Sequence, residues 1–163
     1  MGGAMEQVQY PRVAVGAAVV RDGRVLFVRQ TYHPFAGQWV VPAGLAEPGE
    51  TVDETIRREL REETGIEVEV VGLIGLTSIA APPPAHVFII FLCRAATEEE
   101  PVADGVENAA AAYFSLEELA ALEEPVEPQS LRIAVRVLRG DYQVLPPSDL
   151  QSGTIFTEMK AWM

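Results

Sequence analysis

Gly44 to Ile66 reads GLAEPGETVDETIRRELREETGI, and these 23 residues carry seven acidic side chains. The whole chain has 163 residues, 12 basic and 24 acidic side chains, and a formal net charge of −12. Like charge gathered this densely repels itself unless a cation or a partner offsets it. Thr51 followed three residues later by Glu54 is a capping-box pattern, Gly65 supplies a stop, and nothing between them breaks a helix. The spacing predicts a helix over Val52 to Thr64.

With about 100° per residue and Ile56 at zero, Val52 falls near −40°, Leu60 near +40°, Glu63 near −20° and Glu59 near −60°. Two glutamates therefore share the apolar side with Ile56 and Leu60, Glu62 lies beside them, and Glu54, Arg57, Arg58 and Arg61 point elsewhere. Carboxylates at the edge of a buried stripe protonate unless a cation sits among them. Hard oxygen donors with positions left for water suit Mg²⁺ or Mn²⁺ better than zinc. The competing reading is a solvated charged helix held by pairs such as Glu54 with Arg58.

The extended pattern decides between the two. Gly44, Glu50, Arg58-Glu59-Leu60, Glu62-Glu63 and Gly65-Ile66 stand at every fixed position of the Nudix box, G-x5-E-x7-R-E-U-x-E-E-x-G-U with U apolar. From residue frequencies, a chance match has a probability on the order of 10⁻⁸ per window. The chain resembles Nudix hydrolases. Its flanks agree from Val13 to Ala121: a hairpin before the box, WVVPAG leading into it, and AAYFSLEEL after it.

The resemblance implies an α/β (α+β) fold in which a mixed β-sheet lies between helices, and hydrolysis of a nucleoside diphosphate linked to another moiety. It implies that Glu59, Glu62 and Glu63 ligate Mg²⁺, with a backbone carbonyl at Ala43 or Gly44 adding an oxygen. Glu50, Arg58 and Gly65 are expected to be structural, Glu50 bracing the loop and helix through Arg58. The general base is Glu59 itself or Glu107, which lies where relatives often carry a glutamate on a mobile loop. Glu98, Glu99 and Glu100 read as solvated surface. Arg29 is a candidate for pairing with phosphate, Trp39 for stacking on a base, Ala43 for contact with substrate, and His33 for packing in its loop.

PAGLAEPGE resembles the corresponding segment of ADP-ribose pyrophosphatases, and Pro82 lies sixteen residues after Ile66, as a proline tends to in that subgroup. Val40 departs from it, standing where those enzymes commonly carry a glutamate. ADP-ribose or a similar nucleotide sugar is therefore one expected substrate, a nucleoside triphosphate or oxidised nucleotide another. A catalytically silent nucleotide-sensing module is the alternative of a different class. Such a module would be expected to lose box carboxylates.

The remaining chain reads as one unit. Hydrophobic residues make up 48% of it, enough for a core. Residues 1–12 form a tail opening with MGGAM, residues 13–140 the hydrolase domain, and residues 141–163 a poorly patterned C-terminal extension. Strands are expected at Val13 to Val20, Val25 to Arg29, Trp39 to Val41, Glu67 to Leu76, His86 to Arg94 and Ala110 to Phe114, and helices at Ser115 to Leu122 and Glu127 to Leu138. The prolines 82–84 cannot join a central ladder. No run of eighteen apolar residues and no signal-peptide pattern occurs, so a cytoplasmic protein without a membrane partner is expected. The acidic charge argues against nucleic acid as a partner. Cys93 reads as a small core hydrophobe. Leu131, Ile133, Ala134, Val137 and Leu138 form a stripe that either packs within the chain or meets a second copy in a homodimer.

Overall fold

A computed structural model describes residues 10–80, 84–148 and 161–162. The strands are β1 (Arg12–Arg21), β2 (Arg24–Gln30), β3 (Trp39–Val40), β4 (Ala43–Leu45), β5 (Val68–Ile79), β6 (His86–Ala95), β7 (Asn108–Phe114), β8 (Pro147–Ser148) and β9 (Ala161–Trp162). The helices are α1 (Val52–Thr64), α2 (Leu116–Ala121) and α3 (Pro128–Leu138). Pro82 and the opening MGGAM lie outside the described residues. Among the described residues no helix is long and apolar enough to cross a membrane.

The main sheet is mixed, in the order β3-β2-β1-β6-β5, with β4 also on β1 and β7 also on β2. β1 and β6 run parallel from Arg12 beside His86 to Val20 beside Arg94; the other pairs are antiparallel. β1 reads as a nearly unbroken apolar run because both of its faces are covered. On one face Ile56 and Leu60 of α1 pack against Val15, Ala17, Val19, Leu26, Phe91 and Cys93. On the other, Ile133, Ala134 and Val137 of α3 and Leu119 of α2 meet Ala18, Val25, Phe27, Ile90 and Leu92. The α3 stripe is thus largely intramolecular core, although Leu131 remains 37% exposed.

Local chemistry sets the helix ends. Glu54 accepts a hydrogen bond from Thr51 N–H at 2.8 Å, so it closes the capping box and does not pair with Arg58. Gly65 ends α1 at φ 70°, a left-handed conformation that glycine adopts without Cβ strain, and its N–H donates to Arg61 O. Ser115 and Glu118 form the second capping box. Glu127 is the cap of α3, its carboxylate accepting from Gln129 N–H and Ser130 N–H, and the helix proper begins at Pro128.

Three features depart from the sequence reading. β4 is too short to signal itself, and exists because Ala43, Gly44 and Leu45 pair with Gly16, Val15 and Ala14. The stretch after residue 140 is not featureless: Leu145 exchanges hydrogen bonds with Leu73, β8 pairs with β9, and Trp162 packs edge-on against Phe91 at 4.7 Å. Arg57 and Arg58 are half-buried, not turned away from the body, since Arg57 donates to Val68 O at 2.6 Å and Arg58 lies across the box loop.

Candidate active site

The parallel register of β1 on β6 and the pairing of β4 on β1 set the box loop against the N-terminal half of β1, with α1 returning over it. Glu63 is 3% exposed, and Glu59 has a side chain 13% exposed. Glu62 is the outlying member, with a side chain 60% exposed. Burial raises the pKa of Glu63 to about 8, eased by the hydrogen bond from Asn108 and by the nearby Ala43 backbone and reinforced by the charges of Glu59 and Glu107. Burial also raises Glu59, against the opposing pull of Arg58.

Arg58 is the hub of the cluster. It contacts Glu50 through Nε at 2.6 Å and through the second terminal nitrogen at 3.0 Å, while the first terminal nitrogen reaches Glu59 at 2.8 Å and Glu62 at 3.2 Å. It also donates to Leu45 O, so one guanidinium ties the loop to the helix. The Arg58 contact lowers the pKa of Glu50 to about 2. That stabilisation is complete above the ordinary carboxylate value of about 4.5 and disappears as pH falls through about 2. Arg58→Met strands Glu50 without its partner, and is expected to lower the melting temperature by on the order of 5 °C at neutral pH, measured by calorimetry. Double replacement with Glu50→Gln should recover part of that loss.

The structure brings Glu107 to the same side. Asp104 Oδ1 accepts from the N–H groups of Val106, Glu107 and Asn108 at 2.8, 2.9 and 2.9 Å, and Thr31 N–H and its hydroxyl both donate to Glu107 O. The loop expected to be mobile is pinned in this way at its base. Among the described residues the Glu107 carboxylate makes no hydrogen bond or ion pair.

Arg29 and Trp39 make their contacts outside the carboxylate cluster. Arg29 pairs with Glu124 at 3.0 Å and lies 5.8 Å from the centre of the Trp39 ring, so its charge is already engaged. Trp39 is 6% exposed and meets Phe114 edge-on at 4.9 Å; it is a core side chain and presents no free face to a base. Ala43 and Gly44 are half-buried on β4 beside α1. His33 is exposed.

As the side chains lie, no three carboxylate, histidine or cysteine groups among the described residues are close enough to share an ion. The reason is visible: Arg58 occupies Glu59 and Glu62. The site nevertheless fits a hard divalent cation. Its donors are all oxygens, Glu63 Oε2 is buried with no hydrogen-bond partner among the described residues, and Gly44 leaves space that a Cβ would take from the Glu59 carboxylate.

Sequence reasoning did not find Asn108, Gln30, Asp104 or Tyr32. Asn108 is fully buried and donates from Nδ2 to Glu63 Oε1 at 3.2 Å, and Gln30 is its register partner on β2. The available signal was an amide at the end of each of two strands, Gln30 closing RVLFVRQ and Asn108 opening NAAAAYF.

The NUDIX domain family profile matches residues 10–136. The ADP-ribose pyrophosphatase of Methanocaldococcus jannaschii is 34% identical over 112 residues, 68% of this chain and 65% of that protein. The NAD-capped RNA hydrolase NudC of Chromobacterium violaceum is 32% identical over 135 residues, 82% of this chain but 48% of that protein. The chain thus spans from about half to two thirds of these two relatives. A crystal structure of a MutT NUDIX hydrolase from Burkholderia pseudomallei superposes with a TM-score of 0.66 at 33% identity, covering 78% of this chain and 98% of the other. The NUDIX domain of Shewanella oneidensis NrtR, solved with ADP ribose, has a TM-score of 0.68 at 16% identity, a likeness of fold alone, covering 85% and 93%.

Proposed function

The chain belongs to the NUDIX domain family, and from that premise we propose that it is a Mg²⁺-dependent pyrophosphatase cleaving a nucleoside diphosphate linked to a further group, with ADP-ribose or a similar nucleotide sugar as substrate. The observation that carries this is Glu63, 3% exposed with an unpartnered Oε2, on the same helical face as Glu59 within an intact box. A buried carboxylate with no use for its second oxygen is costly unless a cation takes it. The named activity of the archaeal relative supports the choice of substrate class.

In this reading Glu59, Glu62 and Glu63, together with the Gly44 carbonyl oxygen, would hold the ion. When bound, the ion neutralises pyrophosphate charge and lowers the pKa of a coordinated water. Glu107, unpaired at the rim, accepts a proton from the attacking water on a carboxylate oxygen as the new P–O bond forms and the bridging P–O bond breaks. Arg58, anchored by Glu50, keeps the box loop and α1 in register. Asn108 fixes the orientation of the Glu63 carboxylate through Oε1 and leaves Oε2 for the ion.

The test is product analysis on a panel of ADP-ribose, other nucleotide sugars, dinucleotides and nucleoside triphosphates, with Mg²⁺ and with chelator. One nucleoside monophosphate and one sugar monophosphate from ADP-ribose, formed only with Mg²⁺, are the expected result. Preference for triphosphates would move the substrate class, and no turnover of any pyrophosphate would end the reading.

A further inference from the structure

The carboxylate cluster contains four acidic side chains and must receive an anionic diphosphate, yet the cations around it are engaged: Arg58 by Glu50, Glu59 and Glu62, and Arg29 by Glu124. A neutral hydrogen-bond donor at the rim would suit a phosphate oxygen better than another fixed charge. We propose that Tyr32 is a substrate-binding residue whose phenolic hydroxyl donates to a non-bridging oxygen of the bound diphosphate. This rests on the pyrophosphatase reading above.

Three placements converge on Tyr32. Gln30 and Asn108 are register partners at the point where the β2–β7 pairing shifts, which puts the last side chain of β2 beside the amide that holds Glu63. Gln30 is 7% exposed, and its Nε2 donates to the Tyr32 hydroxyl oxygen at 3.3 Å. Thr31, the residue between them, is bonded through both its N–H and its hydroxyl to the Glu107 carbonyl. The chain is thereby fixed on both sides of the Glu107 loop, and the Tyr32 ring stands at its rim, 45% exposed.

Gln30 Nε2 lies 3.3 Å from the phenol oxygen, and among the described residues no acceptor is bonded to the hydroxyl hydrogen. Burial raises the Tyr32 pKa, and the charges of Glu107, Glu63, Glu59 and Asp104 raise it further. The phenol therefore stays protonated at neutral pH, and those four carboxylates are the groups its oxygen senses. The loop keeps its shape without this hydroxyl: Gln30 N–H donates to Gln38 O, Gly37 N–H to Gln30 O and Gln38 N–H to Phe35 O. Tyr32→Phe therefore removes one donor and leaves the loop closed.

Two measurements on the full chain test this: steady-state kinetics on ADP-ribose, and equilibrium binding of its non-hydrolysable α,β-methylene analogue with Mg²⁺ present. Tyr32→Phe is expected to weaken analogue binding and to lower kcat/KM, each by about tenfold or more, with the Mg²⁺ concentration for half-maximal activity unchanged. Wild-type-like binding and kcat/KM in Tyr32→Phe overturn the proposal while the pyrophosphatase reading stands. A shifted Mg²⁺ requirement overturns it too, because the hydroxyl would then act on the metal ligands and not on the substrate. A wild-type chain that binds no such analogue and turns over no pyrophosphate of the panel defeats the pyrophosphatase reading, and this inference with it.

Discussion

Glu63→Gln should lower turnover by at least about 10²-fold and, in chelator near pH 8, raise the melting temperature above that of the unsubstituted chain. The two effects share a cause. Glutamine cannot supply the anionic oxygen a divalent ion needs, and little packing changes. In the metal-free protein, burial holds the Glu63 pKa at about 8, above its ordinary 4.5. A carboxyl with a raised folded-state pKa stabilises fully below the unfolded value, and that stabilisation is lost as pH rises through about 8. The native state binds the extra proton across that window, so metal-free stability falls with rising pH by an amount on the order of a few kcal/mol. Glutamine carries no such slope. Melting curves in chelator between about pH 5 and 8.5 should show the gap opening with pH, by several degrees near pH 8. Adding Mg²⁺ should close it from the wild-type side. Equal melting temperatures in chelator at every pH would contradict the burial of a charge at this position.

Gly44→Ala is expected to cost activity by a similar factor with little loss of stability. A Cβ on Gly44 would clash with the carboxyl carbon, Oε1 and Cγ of Glu59. The clash falls on the far end of a flexible side chain, so the chain relieves it by rotating Glu59 away, at a cost of about 1 kcal/mol or less. On the proposed ligation the role of Glu59 would not survive the same movement, since a ligand displaced by an ångström would no longer share an ion with Glu63. Unfolding by denaturant and turnover at saturating Mg²⁺ separate the two quantities. A large drop in stability would mean that backbone, not Glu59, absorbs the methyl. Unchanged activity would mean that Glu59 is not needed where it stands.

Much of the local structure was legible in the sequence. The ends of α1 were set by Thr51, Glu54 and Gly65, and its buried face by the spacing of Ile56, Leu60 and Glu63, because capping and helical periodicity act within a few residues. The hairpin from β1 to β2 followed from the Asp22-Gly23 turn. Trp39 stands directly before a short apolar run, a local sign that favours a core residue over a base platform, and α2, α3 and Phe114 closing over it decide the matter. Arg57 escaped, since an angle on a helical wheel says nothing about a neighbouring strand that meets the side chain, and the reach of Arg58 to the box loop followed only from the family resemblance, not from the wheel.

On its own, the sequence determined that Glu59 and Glu63 share a helical face and that the box belongs to a phosphate-handling family, because both facts are encoded in spacings shorter than two dozen residues. Only the tertiary structure decided what each carboxylate touches. Asn108 reaches Glu63 across 45 positions of chain, and Gln30 reaches the same neighbourhood through the register of β2 on β7. Helical geometry repeats at a fixed angle and can be counted along a chain; register between distant strands is set by the collective packing of both faces of the sheet, which no local stretch contains.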